Sequence, residues 1–166
     1  MVYSEKKGFM VENQGKLFSA GLTLIELLVT ATILVLLTGG ALAAYRSFND
    51  RQILSAAAKE TKNNLSMARN WAMTVKKVYC SQTAAGYEVD FSDDGSGYTI
   101  KEKCSDNSSS EVQSFSFPGG VTGDYMGSFT FKPLTGELES GSGVEINLSY
   151  KGRTQTVTVK ASGLIE

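Results

Sequence analysis

Few side chains in this 166-residue chain are placed to do chemistry. It has no histidine, so the usual general base near neutral pH and the commonest metal ligand are missing. Ser4 and Lys7 share the Ser-x-x-Lys spacing of some acyl-enzymes, but they sit in a polar N-terminal stretch and no catalytic constellation forms around them. "DFSDDGSG" (90–97) offers carboxylates for a cation, but not at EF-hand spacing, and an Asp-Gly turn explains it better. No metal site or cofactor is expected. Cys80 and Cys104 are the only cysteines. One disulfide is expected in an exported chain, against the alternative of two buried thiols. If the two flank a common strand they are too far apart to bond, so a bridge requires Cys104 to lie beyond the regular ladder, in the Ser/Asn loop. Lys151, Arg153 and Lys160 could form a small basic patch near the C-terminus, although ordinary surface solvation accounts for them more simply. The most unusual group is Glu26, a lone carboxylate inside "AGLTLIELLVTATILVLL".

Glu26 is the only charged side chain between Lys16 and Arg46. The apolar stretch 22–44 is about 34 Å long as a helix, enough for a hydrocarbon core of ~30 Å. Lys6, Lys7 and Lys16 precede it, which fits a cytoplasmic N-terminus and a body on the far side of the membrane. An acid at the centre of a spanning helix costs ~2.5–3.5 kcal/mol, and less near an end. Glu26 lies near the start, where the positive end of the helix dipole also favours it.

Downstream, Leu54, Ala58, Thr61, Leu65, Ala68, Ala72 and Val75 recur at alternating spacings of four and three, one face of an α-helix. Met67 and Trp71 widen that stripe, and Lys59, Lys62, Arg69 and Lys76 lie opposite. The spacing predicts a helix continuing to Lys77, with Lys76 and Lys77 complementing the dipole at its end. Such a stripe must be covered, and the cover follows in sequence. "GYEVDF", Tyr98–Lys103, "VQSFSF", "SFTF", a strand after the Pro133–Gly136 turn, "VEINLSY" and "TQTVTV" alternate with period two between turn residues, so 78–166 reads as antiparallel β.

Charge limits the function. Residues 46–77 carry seven Lys/Arg against two Asp/Glu, whereas 78–166 carry six against twelve. An acidic body lacks the electrostatic drive to grip nucleic acid, which ranks behind protein partners.

The stretch "G-L-T-L-I-E-L-L-V" (21–29), between a basic leader and an apolar helix, resembles the class III signal of type IV pilins and pseudopilins. The resemblance implies cleavage after Gly21 by prepilin peptidase and N-methylation of Leu22, with Thr23 next and Glu26 as the assembly acid. Most relatives have Phe at the position of Leu22. It also implies an α+β, pilin-like lollipop: leader 1–21, transmembrane and filament-core helix 22–45, amphipathic continuation 46–77, and antiparallel β domain 78–166. The body, with "ARNWAMTVKKVYC", "FTFKPLTGEL" and "VTVKASGLIE", resembles the minor pseudopilin H and fimbrial-biogenesis T group. Two departures stand out. The proline common near the middle of the first helix is absent, with Ala43 in its place and Gly39-Gly40 nearby. The tail "SGLIE" has Gly163 but lacks the arginine of DNA-binding members.

The chemistry behind this resemblance is simple. Cutting after Gly21 creates an α-ammonium in an apolar environment, and Glu26 of a neighbouring subunit can pair with it. At ~4 Å and an effective dielectric of ~20 the attraction is roughly 4 kcal/mol before desolvation is subtracted. The expected role is a minor pseudopilin-like structural subunit of a type II secretion pseudopilus, the substrate of an enzyme and not an enzyme itself. Expected partners are prepilin peptidase/methyltransferase, other pilin or pseudopilin subunits, an inner-membrane assembly platform, and lipid before assembly. Two rivals remain: a minor type IV pilin active in pilus assembly or DNA uptake, and a soluble exported binding module cleaved after Ala43 at "ALA".

Overall fold

A computed structural model describes residues 23–81 and 83–166, apart from the side chains at 39, 40, 42 and 43. They form one helix, α1 (Leu24–Met73), followed by seven strands. The chain divides into two compact units, one ending at Leu42 and one running from Ala43 to Glu166.

In the second unit, α1 buries the stripe that its sequence marks out. Leu54, Ala58, Thr61, Leu65, Ala68 and Ala72 are buried, and Ala57 joins them one turn from Leu54. Small residues dominate this face and allow the sheets to approach closely, while Leu54 and Leu65 each contribute roughly 2 kcal/mol by burial. The Thr61 hydroxyl is satisfied within the helix by donating to the Ala57 carbonyl at 2.9 Å.

The helix stops at Met73, short of the expected Lys77. Val75 adopts φ 47°, the left-handed region. Its N–H donates to the Ala72 carbonyl at 3.1 Å and the Lys76 N–H to the Trp71 carbonyl at 3.0 Å. This pair of bonds is a Schellman C-cap, with valine where glycine is usual. Val75 is therefore the cap and not the end of the stripe, and no basic residue lies in the last turn. Lys76 instead places its ammonium 4.6 Å from the centre of the Trp71 ring.

The strands are β1 (Ala84–Phe91), β2 (Gly97–Cys104), β3 (Ser109–Ser116), β4 (Thr122–Gly123), β5 (Gly127–Phe131), β6 (Val144–Tyr150) and β7 (Arg153–Val159). They form two sheets, ordered β3-β2-β1-β5 and β4-β6-β7, with every pairing antiparallel. The α+β architecture read from the sequence is present. The strand expected after Pro133–Gly136 is not: only Leu138 bridges back, to Phe131. Glu137 and Glu139 still bond to Lys132 and to Thr130 of β5, but the pairing stops at this one bridge, and the Leu138 N–H faces outward to the Ala161 carbonyl near the C-terminus.

The β1–β2 turn is the Asp-Gly turn expected from its sequence. Asp94 accepts the Ser96 N–H at 2.9 Å, and these Ser96 hydrogen bonds hold its carboxyl below the usual range. Gly95 has φ 67°, and any Cβ there would lie 2.4 Å from the Gly123 carbonyl oxygen. Phe91, Tyr98 and Phe115 are cross-strand partners in β1, β2 and β3, with ring centres 5.1 and 5.3 Å apart. A single buried cluster joins the α1 stripe to Tyr87, Val89, Ile100 and Phe131 of the first sheet and Ile146, Leu148, Val157 and Val159 of the second.

Candidate functional site

The start of α1 is built by Thr23 and Glu26. The Thr23 carbonyl accepts the Leu27 N–H at 3.1 Å, and its hydroxyl oxygen accepts the Glu26 N–H at 3.3 Å. Thr23 is thus the N-cap and Glu26 the third helical residue, the Thr-x-x-Glu spacing of a capping box. The sequence reading assigned Glu26 to assembly and passed over this local role. The two are compatible, since the cap uses the Glu26 backbone N–H and leaves its side chain exposed. Gly21 and Leu22, the expected cleavage and methylation positions, lie outside the described residues.

From Leu24 to Leu37, ten large apolar side chains are exposed, from Val29 at 48% to Leu24 at 84%. They surround the helix and do not form a stripe. The hydroxyls of Thr30, Thr32 and Thr38 donate back to the carbonyls of Leu27, Leu28 and Leu34 at 2.8–3.0 Å. These three hydroxyls are thereby satisfied within the helix, which exposes hydrocarbon around its circumference. Among the described residues no helix is long and apolar enough to cross a membrane. Side chains are described without a break only over 24–38, about 22 Å of helix, and the span expected over 22–44 extends beyond them.

The other end of α1 is held by a group that the sequence reading missed. Glu102 is fully buried, and its carboxylate accepts the N–H groups of Val78, Tyr79 and Cys80 at 2.6–3.2 Å. Three successive backbone donors converge on one acid and replace the water that its burial removes. The available signal was its inward register, because Glu102 alternates with Tyr98, Ile100 and Cys104 on the buried face of β2. Cys80 and Cys104 are bonded, with Cα atoms 5.6 Å apart. Contrary to the expected geometry, Cys104 is the last residue of β2 and pairs with Ala84 inside the ladder. The bridge closes because Cys80 precedes β1 and Glu102 draws its backbone to the inner face of the sheet. Nearby, the Tyr87 hydroxyl donates to the Lys76 carbonyl at 2.7 Å. Burial, aided by the Glu102 charge, pushes this phenol up to about 12.

No protein-family model matches the chain. No curated protein matches its sequence. A solved structure does match: the minor pseudopilin EpsH from the type 2 secretion system of Vibrio cholerae. The TM-score is 0.51 at 14% identity, over 68% of this chain and 94% of that one. The fold is pseudopilin-like. At this identity the likeness is one of architecture.

Within the pseudopilin-like fold, Lys160 is not brought together with Lys151 and Arg153. Lys151 and Arg153 lie at the β6–β7 turn, where Lys151 pairs with Asp50 of α1 at 2.9 Å and Arg153 donates to the Ser47 hydroxyl at 3.0 Å. The Asp50 contact raises the Lys151 ammonium above its ordinary range. Lys160 lies past the far end of β7, about 23 Å along the strand from Arg153 at ~3.3 Å per residue, and pairs with Glu166. Gly163 of the tail has φ 78°, and a Cβ there would lie only 1.8 Å from the Gly136 carbonyl oxygen. Its role in this chain is a close backbone crossing. Arg69, placed by the sequence on the solvent face, is half-buried at this crossing and donates to the carbonyls of Gly136 and Ser162 at 3.3 and 3.4 Å.

Proposed function

We propose that the chain is a minor pseudopilin-like structural subunit of a type II secretion pseudopilus, processed after Gly21, methylated on Leu22 and assembled through its N-terminal helix. The observation that carries this reading is the all-round exposed apolar surface of residues 24–37 on a chain of pseudopilin-like fold. Such a surface has two stable environments, hydrocarbon before assembly and neighbouring helices afterwards. The subunit first resides in the cytoplasmic membrane as a single-pass protein, with the β domain outside. Prepilin peptidase, other pseudopilin subunits and an inner-membrane platform are its partners. Glu26 receives the new α-ammonium of a neighbour. The separation of Lys160 from Lys151 and Arg153, and the pairing of Lys151 with Asp50, weigh against DNA uptake at that site.

The test has two parts. Mass spectrometry of the native protein should find N-methyl-Leu22 at the mature terminus. A chain starting at Ala44 supports the exported-module rival, and one retaining Met1 in cells with active peptidase overturns the reading. Glu26→Ala should leave insertion and cleavage intact while lowering filament incorporation at least about tenfold, because an α-ammonium in an apolar environment loses its partner. Normal incorporation would reject the role given to this acid.

A further inference from the structure

The two sheets of the β domain leave a groove of about 500 Å³ between them, walled by Tyr125, Ser128, Phe129 and Thr130 on one side and Val144 and Glu145 on the other. β5 is the edge of the first sheet. The Thr130 carbonyl accepts the Glu139 N–H, and the Lys132 N–H donates to the Glu137 carbonyl. The even-numbered residues of β5 therefore direct their backbone groups away from β1. Past that bridge, the N–H and C=O of Ser128 and the N–H of Thr130 have no hydrogen-bond partner among the described residues.

On the facing wall, the N–H and C=O of Asn147 are both taken by Asp124. The odd-numbered residues of β6 thus direct their backbone groups away from β7. The two-residue strand β4 covers only Leu148 and Ser149. Glu145 lies beyond it, and its N–H and C=O are unpartnered among the described residues. Two open strand edges therefore border one groove, and open edges are templates for a further strand.

The side chains narrow the occupant. Partly buried Tyr125 and Val144, with buried Phe129 behind them, give the groove an apolar lining. Glu139 and Glu145 line the groove, and no Lys or Arg does. Glu139 has Lys103 at 3.4 Å, whereas Glu145 has no ion-pair partner among the described residues. We propose that this groove receives an extended, basic segment of a partner protein by strand addition. Its backbone would pair with Ser128, Thr130 and Glu145, its apolar side chains would face Tyr125, Phe129 and Val144, and a Lys or Arg would sit beside Glu145. The inference is independent of the filament reading, since it concerns only the β domain.

The full chain in detergent, titrated with the peptide Val-Lys-Val-Lys-Val, tests it. Binding should slow hydrogen exchange at the Ser128, Thr130 and Glu145 amides by about tenfold. A peptide of the same sequence with alternate amides N-methylated should bind about tenfold more weakly, because it keeps the side chains and loses the donors. Val-Glu-Val-Glu-Val should not bind. Glu145→Pro removes the groove-facing N–H while sparing the ladder to β7, and should abolish the protection. If that variant melts early, the N-methylated peptide carries the same test in the unaltered protein. Equal binding of the methylated or acidic peptide, protection elsewhere, or no binding of the basic peptide at millimolar concentration would overturn the proposal.

Discussion

Two stretches of α1 have the same backbone and opposite surroundings. Residues 24–38 expose every side chain, whereas the stretch from Leu54 to Ala72 buries a full stripe in a core shared with both sheets. Helical hydrogen bonds alone do not fix a helix's role. The first stretch satisfies its threonine hydroxyls within the helix and buries none of its side chains. The second is stabilised by its own domain, and its end is secured by Glu102, the Cys80–Cys104 bond and Tyr87.

The contrast breaks first under leucine truncation. Leu65→Ala should destabilise the β domain by about 4 kcal/mol, because a fully buried side chain leaves a cavity. Leu34→Ala, at 61% exposure, should leave domain unfolding unchanged in chemical denaturation. If both cost the same, the two stretches are not distinct. A smaller effect is expected at the helix end. Glu102→Gln should cost about 2 kcal/mol, since an amide replaces a carboxylate that accepts three backbone donors. The loss should appear in denaturant titration with the disulfide intact, and a neutral result would deny the acid its anchoring role.

The smallest effect is alkaline. Tyr87 is raised from 10.0 to about 12 in the folded chain by burial and by the Glu102 charge. Its neutral form is favoured on folding, so its contribution is full below pH 10 and lost as pH rises through about 12. Tyr87→Phe should cost about 1 kcal/mol at neutral pH, the net worth of the hydrogen bond to Lys76. It should also flatten the stability profile over that alkaline window, which thermal melts from pH 9 to 12 would show.

Much of the fold was legible because burial imposes a period on sequence. The Leu54–Ala72 stripe, the Tyr87–Val89–Phe91 alternation and the Asp94–Gly95 turn all follow from helix and strand geometry. The helix end was misread because Val75 fits the stripe by spacing, and nothing about a valine announces a left-handed cap. The segment around Leu138 was read as a strand because it does pair with β5, but only through the single bridge to Phe131. Glu102 escaped notice because an acid at an inward strand position looks like a break in pattern until its three donors are in place.

By itself the sequence determined the periodic elements, the uneven charge and the apolar segment around Glu26, since each depends on neighbours a few residues apart. Only the tertiary structure decided the division into two sheets, the separation of Lys151 and Arg153 from Lys160, the seating of Glu102 and the groove between open strand edges. Those depend on which distant backbone groups meet, and a hydrogen bond across tens of residues leaves no local trace in the chain.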